Sequence, residues 1–193
     1  MTKVICLTGG IGSGKTTVAR MFEKHGIPVY ISDERAKLIM MKSEVIQQVQ
    51  AIFDEPVIQG ELLDRKKIRE LVFGNKELLE RLNSIVHPAV ANDFKVWVRS
   101  HSDKAYVLKE SAILFETKSQ STCEKIILVT APEEVRIRRV VERDGVSEEG
   151  VKKIINQQIS DYEKGKLSDF IIKNIDIKEV EKEVLIIIRD FLS

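Results

Sequence analysis

Cysteine is scarce in this sequence, and charge of neither sign is in excess. Only two of the 193 residues are cysteines, Cys6 and Cys123, and their spacing is typical of neither a metal site nor a disulfide framework. We therefore expect reduced thiols and a cytoplasmic protein. Lys and Arg number 31 against 30 Asp and Glu, a formal net charge of +1, so no global field draws the chain to nucleic acid or to an anionic membrane.

Long apolar runs and aromatic residues are scarce as well. No run approaches the roughly 20 residues of a membrane helix, and the apolar residues 4–7 are too few for the hydrophobic region of a secretory signal. Aromatic residues make up 6% of the chain and are not interleaved with basic ones, as they are where nucleic-acid bases stack. We expect neither a membrane nor a nucleic acid as partner.

What the sequence does contain is an alternation of short apolar runs and longer amphipathic stretches, which predicts a parallel sheet with crossover helices. The predicted strands are residues 4–7, 28–32, 106–108, 126–129 and 170–172. The predicted helices between the second and third strands include residues 66–73, 76–85 and 88–99, with His87 and Pro88 ending one helix ahead of the next. We predict one α/β domain over residues 1–193, with a core at about 1–32 and 104–193 and a helical insert at about 33–103.

One motif is highly specific. The pattern G-x-x-x-x-G-K-S/T follows an apolar strand and opens a helix, and it is formed by Gly9, Gly10, Ile11, Gly12, Ser13, Gly14, Lys15 and Thr16. In such a loop successive backbone N–H groups turn inward around a phosphate, and the helix N-terminus adds positive potential. We expect Lys15 to reach the β- and γ-phosphates, Thr16 to ligate Mg²⁺ and Thr17 to contact the α-phosphate. The alternative is a glycine-rich turn with an exposed lysine.

Three acidic residues are candidates for chemistry on that phosphate. Asp33 follows the second strand, where ligands of doubly wound sheets bind, and it is either the base for an acceptor hydroxyl or a helix N-cap. Glu110 ends the third strand, where an acid can hold the water shell of Mg²⁺. An exposed loop acid is the alternative for Glu110, and Glu116 is equally ambiguous.

Three arginines share one face of the helix that follows Pro132. Arg136, Arg139 and Arg143 are spaced at i, i+3 and i+7, and like charges one turn apart destabilise a helix unless an anion faces them. A triphosphate is such an anion, and guanidinium forks match phosphate oxygens. The alternative is a basic surface patch.

Several separated segments together resemble the dephospho-coenzyme A kinase family. The resemblance is carried by residues 7–19, 32–36, 82–88 and 113–116, and then by Arg139 to Asp144, Gln158, Lys164, residues 168–172 and Asn174. Two positions depart from the family pattern. Ile31 stands at the first acid of the family's D-x-D pair, and Ala112 stands at the proline before its L-L-F-E segment.

The resemblance implies a transferase with a P-loop kinase fold, in which helices flank a parallel sheet and a helical acceptor-binding insert and a lid at about residues 140–166 are added. It implies that ATP phosphorylates the ribose 3′-hydroxyl of dephospho-CoA in the last step of coenzyme A biosynthesis, with Mg²⁺ as cofactor. The implied ATP-binding residues are Gly10, Ile11, Gly12, Ser13, Gly14, Lys15, Thr16, Thr17 and Asn174. The implied catalytic residues are Asp33, Lys15, Arg139 and Arg143, the acceptor-binding residues are Asp33, His87, Pro88 and Glu116, and the metal-binding residues are Thr16 and, through water, Glu110.

Two other functions stay open at this point. One is a different small-molecule kinase on the same fold, which would phosphorylate a nucleoside or nucleotide. The other is a GTP-dependent switch, although the guanine-reading N-K-x-D pattern is incomplete, because Leu78 follows Asn75, Lys76 and Glu77 where the final Asp is needed. We expect a monomer or a weak homo-oligomer.

Overall fold

The computed structural model describes residues 2–192 and divides into two compact units. The first unit contains the chain up to Ile31 together with the chain from His101 onward, and the second unit is Ser32–Ser100. The strands are β1 (Lys3–Thr8), β2 (Val29–Ile31), β3 (Ile58–Gln59), β4 (Leu62–Leu63), β5 (Tyr106–Glu110), β6 (Lys125–Thr130) and β7 (Phe170–Lys173). The helices are α1 (Lys15–Lys24), α2 (Ser32–Ile39), α3 (Ser43–Gln50), α4 (Arg65–Val72), α5 (Lys76–Ser100), α6 (Glu133–Asp144), α7 (Glu148–Gln157), α8 (Asp161–Lys166) and α9 (Ile177–Leu192).

The first unit is built on a parallel sheet of five strands in the order β2-β5-β1-β6-β7. The centre of the sheet is β1, which pairs with β5 on one side and β6 on the other. Because helices cover both faces, the central strands are buried apolar runs rather than alternating ones. The predicted parallel sheet flanked by helices is confirmed, and the five apolar runs are its strands.

The main core of this unit lies between the sheet and two helices. Val18 and Phe22 of α1 are fully buried against apolar residues of β1 and β6, and Val184 and Ile187 of α9 complete the same cluster. The packing fixes the start of α1 at the end of β1, so the loop between them is held at both ends by buried structure.

The two cysteines form a disulfide, and the expectation of reduced thiols is wrong. Cys6 lies on β1 opposite Ile126 of β6, and Cys123 lies three residues before Ile126, so the parallel pairing brings the two Cα atoms to 5.7 Å. That separation is within the range that a disulfide spans. Sequence spacing could not show it, because only the tertiary pairing of β1 with β6 makes the two residues neighbours.

The second unit is helical apart from the short antiparallel hairpin of β3 and β4. Its core is formed by α3, the hairpin and the following helices, with Val49, Phe53 and Val57 among its buried residues. The predicted helix break at Pro88 is wrong, because α5 runs uninterrupted from Lys76 to Ser100 with Pro88 inside it. A proline removes one intrahelical hydrogen bond, and the packing of α5 against α2, α3 and α4 outweighs that loss.

Two short helices occupy the region predicted as a lid. A serine caps each of them: the Ser147 hydroxyl accepts from the Gly150 N–H at the start of α7, and the Ser160 hydroxyl accepts from the Glu163 N–H at the start of α8. No helix within residues 2–192 is both long enough and apolar enough to cross a membrane.

Candidate active site

The glycine-rich loop has the geometry that its motif predicts. It connects β1 to α1 between Thr8 and Lys15, and Gly12 and Gly14 adopt left-handed φ values of 76° and 86°, which residues with a Cβ rarely adopt. The Lys15 ammonium folds back over the loop, where its Nζ donates to the Gly10 carbonyl oxygen at 3.2 Å. The side chain is therefore already placed across the loop that would carry a triphosphate.

The first turn of α1 is prepared for an anion. It contains no acidic residue, so the positive end of the helix dipole is not neutralised locally. Thr16 and Thr17 are exposed there, with their hydroxyls on the surface where the sequence predicts contacts to metal and phosphate. The buried hydroxyls of Thr8 and Ser13 have no hydrogen-bond partner among the residues described.

Glu110 lies at the end of β5, beside the strand that leads into the loop. It stands opposite Leu7 of β1 and opposite Ile31 of β2, and it is 2% exposed. The following N–H, that of Ser111, donates to the Leu7 carbonyl at 3.0 Å. A buried carboxylate at this sheet edge is in the position expected of an acid that orients metal-bound water, and it is not the exposed loop acid of the alternative interpretation.

Arg139 is brought to the loop, together with Asn174. The Arg139 Nη2 donates to the Asn174 carbonyl at 3.0 Å, and the Asn174 side-chain amide donates to the Ser13 carbonyl at 2.8 Å. A Cβ added to Gly14 would overlap the Asn174 side chain. Asn174, predicted to lie near adenine, thus has its amide nitrogen bound to the loop backbone, and Arg139 Nη1 is buried beside it without a hydrogen-bond partner among the described residues.

Arg136 also contacts the loop, although the sequence only grouped it with Arg139 and Arg143 opposite a triphosphate and did not predict it as a site residue. Its Nε donates to the Ile11 carbonyl at 2.9 Å, and its Nη1 donates to Asp161 Oδ2 of α8 at 3.0 Å. The Ile11 N–H in turn donates to Gln158 Oε1 at 2.9 Å. The only signal in the sequence was the position of Arg136 on the same helical face as Arg139.

Arg143 is not brought to the loop with the other two arginines. It lies in the last turn of α6, its side chain is 65% exposed, and it forms two hydrogen bonds of 2.7 Å with the neighbouring Asp144. Hydrogen bonding of the guanidinium to that carboxylate raises the pKa of Arg143 above its ordinary value. In this structure Arg143, seven residues after Arg136, therefore contacts Asp144 and not the loop residues or Asn174 that Arg136 and Arg139 contact.

Glu116 is held by a buried lysine. Lys164 of α8 is fully buried, and its Nζ lies 3.1 Å from Glu116 Oε1, whose side chain is 24% exposed. The ammonium has no well-aligned hydrogen bond, so the contact is chiefly a charge pair. The Ile159 N–H also donates to Glu116 Oε1 at 3.4 Å, and the carboxylate therefore ties the segment after β5 to the region between α7 and α8.

The other predicted acceptor-site residues lie in the second unit. Helix α2 begins at Ser32, so Asp33 is inside its first turn and is not the N-cap of a helix that starts at Glu34. The positive end of the helix dipole favours its carboxylate there. His87 and Pro88 lie in the middle of α5, and partial desolvation lowers the pKa of His87 below its ordinary value.

The residues present fit a magnesium ion of the kind that accompanies a nucleotide. Within residues 2–192 no cluster of three or more His, Cys, Asp or Glu side chains forms a metal site. Mg²⁺ bound with a triphosphate does not need one, because it keeps several waters and takes phosphate oxygens and one or two protein oxygens. The exposed Thr16 hydroxyl and the buried Glu110 carboxylate are oxygen donors of that kind.

Comparison with known proteins decides the family. The sequence model of the family described as dephospho-CoA kinase matches residues 3–179 of this chain. The chain belongs to the dephospho-CoA kinase family. The resemblance in the glycine-rich loop, in residues 82–88 and in the C-terminal half is thereby confirmed as family membership.

Individual dephospho-CoA kinases match most of the chain. The protein of that name from Fusobacterium nucleatum is 39% identical over 172 residues, which cover 89% of this chain and 89% of that protein. The dephospho-CoA kinase of Listeria monocytogenes is 32% identical over 199 aligned positions, covering 100% of this chain and 99% of that protein. The similarity is thus not confined to the phosphate-binding loop.

Solved structures confirm the P-loop kinase fold. A crystal structure of a Thermus thermophilus protein is similar over 100% of this chain and 98% of its own, with a TM-score of 0.90 and 32% identity. The dephospho-CoA kinase of Campylobacter jejuni covers 98% of this chain and 97% of its own at a TM-score of 0.67 and 24% identity. A shikimate kinase of Acinetobacter baumannii covers 100% and 94% at a TM-score of 0.57 and 17% identity, which shows the shared fold alone.

Proposed function

We propose that this chain transfers the γ-phosphoryl group of ATP to the ribose 3′-hydroxyl of dephospho-CoA and releases coenzyme A and ADP. The observation that carries the proposal is the glycine-rich loop, with Lys15 folded across it, in a chain of the dephospho-CoA kinase family. This reaction is the last step of coenzyme A biosynthesis. Both substrates, ATP and dephospho-CoA, are small molecules.

The loop and the start of α1 bind the triphosphate in this proposal. Backbone N–H groups of Gly12–Thr17 and the helix dipole surround the phosphates, and Lys15 exchanges the Gly10 carbonyl for phosphate oxygens. A neutral carbonyl is a weaker partner for an ammonium than a charged phosphate oxygen is. The exchange is consequently favourable when ATP binds.

Charge on the transferring group is offset from several directions. Thr16 and, through water, Glu110 would hold a bound Mg²⁺, which would supply positive charge against the charge that develops on the phosphates. Arg139 is linked to the loop by Asn174, which binds both. In the proposal, a small rotation of its guanidinium lets it donate hydrogen bonds to the phosphate oxygens. Arg143 has the same role in the proposal, for which it must exchange Asp144 for phosphate.

Asp33 is the proposed base. Phosphoryl transfer needs little from the protein beyond positioning, charge stabilisation and a carboxylate that accepts the proton of the acceptor hydroxyl. The first turn of α2 supplies that carboxylate, and Ile31 leaves Asp33 as the only acid of the D-x-D segment. His87, Pro88 and Glu116 complete the proposed acceptor-binding residues.

The region of α7 and α8 is proposed as a lid that excludes water, since water at the γ-phosphate would hydrolyse ATP. We further propose that the enzyme works in the cytoplasm as a monomer or weak homo-oligomer. A disulfide is uncommon in a reducing compartment. Here one of its sulfurs, that of Cys6, is fully buried, which limits access by thiols.

The test is a product assay with purified protein, Mg-ATP and dephospho-CoA, which follows ADP and the mass of the CoA product. We expect one added phosphate on the ribose, and no product with adenosine or nucleoside monophosphates as acceptors. Formation of ADP without phosphorylated dephospho-CoA would support ATP binding but would show that dephospho-CoA is not the acceptor. Phosphorylation of a nucleoside instead would favour the other small-molecule kinases of this fold.

A further inference from the structure

The first half of the phosphate-binding loop is held by side chains that are remote in sequence. Both backbone polar groups of Ile11 are bound: its carbonyl accepts from Arg136 Nε at 2.9 Å, and its N–H donates to Gln158 Oε1 at 2.9 Å. The Ile11 side chain packs against the buried Ile137, Val140 and Val151 of α6 and α7. Ile11 therefore anchors the loop to α6 and α7. Its backbone N–H is bound to the Gln158 side chain.

Arg136 joins this anchor to α8. Its side chain is 8% exposed, and its Nη1 forms an ion pair of 3.0 Å with Asp161 Oδ2. The planar guanidinium thus donates to a loop carbonyl and to a carboxylate of a different element at the same time. A lysine ammonium at the end of a flexible stem cannot hold both acceptors in one fixed plane.

The loop and Arg136 fit one another closely. A Cβ added to Gly10 would overlap the Arg136 guanidinium, and a Cβ added to Gly12 would overlap the Arg136 backbone. Gly10 and Gly12 are therefore both needed for the close contact with Arg136 of α6, and Gly12 is needed for its left-handed φ as well. The remaining nitrogen of the guanidinium, Nη2, lies beside Gly10 rather than in solvent.

We propose that Arg136 is a positioning residue for ATP: it acts through Ile11 to hold the first half of the loop, Gly9 to Gly12, in the shape that receives the phosphates. The inference rests on the proposed function to the extent that the loop binds ATP. Preorganised donors bind charge without the cost of reorganising at the moment of binding. Asp161 orients the guanidinium and so links the shape of the loop to α8.

The main test compares Arg136→Lys with Arg138→Lys, an exposed arginine of the same helix. Calorimetric titration with Mg-ATP measures binding without an acceptor, and steady-state kinetics measure the KM of each substrate. We expect Arg136→Lys to weaken ATP binding about tenfold, the effect of one charge-assisted hydrogen bond. The KM for dephospho-CoA and the Tm should change little, and Arg138→Lys should behave as wild type.

Asp161→Asn is the second variant, and it keeps the hydrogen bond from Arg136 to Ile11. A positioning role predicts a smaller loss of ATP affinity in the same direction. If Arg136 instead contacts phosphate directly, removal of the competing carboxylate should tighten ATP binding, which would overturn the proposal. A lower Tm with unchanged ATP affinity in Arg136→Lys would also overturn it, because the arginine would then serve stability alone.

The result for the wild-type protein separates this inference from the proposed function. If the wild-type chain binds Mg-ATP but does not phosphorylate dephospho-CoA, the proposed acceptor fails, and the role of Arg136 is still decided by the binding data. If the wild-type chain does not bind Mg-ATP, both fail. If Arg136→Lys does not fold, Asp161→Asn and its direction of change decide the question.

Discussion

Single residues of the loop show how the site is prepared before a nucleotide arrives. Lys15 lies across the loop on the Gly10 carbonyl, and Asn174 holds the Ser13 carbonyl from the other side. Backbone acceptors that would point into the loop are thus bound by donors, while the N–H groups of the first turn of α1 have no acidic neighbour in that turn. The balance of donors over acceptors favours an anion.

Asp33 is the residue on which the proposed chemistry depends. We expect Asp33→Asn to lower kcat about 100-fold or more, since the amide cannot accept a proton, and to leave the Kd for Mg-ATP nearly unchanged. The neighbouring acid of the same helical turn supplies the control, as Glu34→Gln should retain most of the turnover. Steady-state kinetics with titration calorimetry make the comparison, and wild-type turnover in Asp33→Asn would remove this residue from the mechanism.

At the scale of the elements, the strands were readable from the sequence and the long helix was not. Each predicted strand is a continuous apolar run, which a two-sided parallel sheet requires. The sequence predicts two helices in place of α5, because a proline such as Pro88 usually marks a helix boundary. In the structure α5 is one helix, because apolar residues on both sides of Pro88 pack against the core of the second unit.

The attachment of β7 to β6 depends on Asp169. Its Oδ2 accepts from the Ile126 N–H at 2.8 Å and its Oδ1 from Lys125 Nζ at 3.0 Å. Burial by itself would raise the pKa of Asp169, but these donors outweigh it and hold the pKa below the ordinary value of 3.8. Ionised Asp169 therefore stabilises the folded protein above that pH, and its contribution is lost as the pH falls through the lower, folded-state pKa.

Asp169→Asn should accordingly destabilise the protein at neutral pH and much less in acid. The expected loss at pH 7 is about 1 kcal/mol, because water screens a carboxylate near the surface. Urea unfolding at pH 7 and near pH 3 measures the difference, with Glu181→Gln as the exposed control on α9. A difference from wild type that stays constant or grows in acid would contradict the assignment.

The pair of Lys164 and Glu116 ties α8 to the segment after β5. Removal of one charge leaves the other without its partner. An unpaired Lys164 costs more free energy of unfolding than an unpaired Glu116, because the Lys164 side chain is 0% exposed and the Glu116 side chain is 24% exposed. We expect Glu116→Gln to destabilise by about 3 kcal/mol and Lys164→Met by less. The double variant should be more stable than the sum of the two losses predicts, and a urea-based double-mutant cycle that finds strict additivity would show that the charges do not interact.

At the scale of the whole molecule, the disulfide closes a large loop through the middle of the sheet. Cys6 and Cys123 are separated by 117 residues, and the loop-closure model gives a stabilisation of about 5 kcal/mol for a loop of this order. The covalent bond joins β1 to the segment immediately before β6. It therefore constrains the strand that leads into the phosphate-binding loop.

Reduction of this bond should lower the free energy of unfolding of the wild-type protein. Urea unfolding with and without a phosphine reductant measures the change, and thiol counting under each condition shows whether the bond is open. Cys123→Ala should be less stable than the oxidised wild type and insensitive to the reductant. An unfolding midpoint that does not move when both thiols are counted as free would contradict a stabilising role.

The sequence by itself determined the fold class, the phosphate-binding loop and the family. Each of these depends on patterns that are local in the chain: apolar runs, glycine spacing beside a lysine, and motifs in a fixed order. Asp33 and Glu110 could be predicted as candidates for the same reason, because ligands of such sheets bind at the carboxyl ends of the parallel strands.

Only the tertiary structure decided which remote side chains contact the loop and which do not. In the tertiary structure Cys6 is bonded to Cys123, Arg136 donates to the Ile11 carbonyl, and Arg143 donates to Asp144 instead of contacting the loop. Helical periodicity gives the face of a side chain but not its distance from another element. That distance depends on how α6 is packed on the sheet, which is fixed by contacts between residues far apart in the sequence.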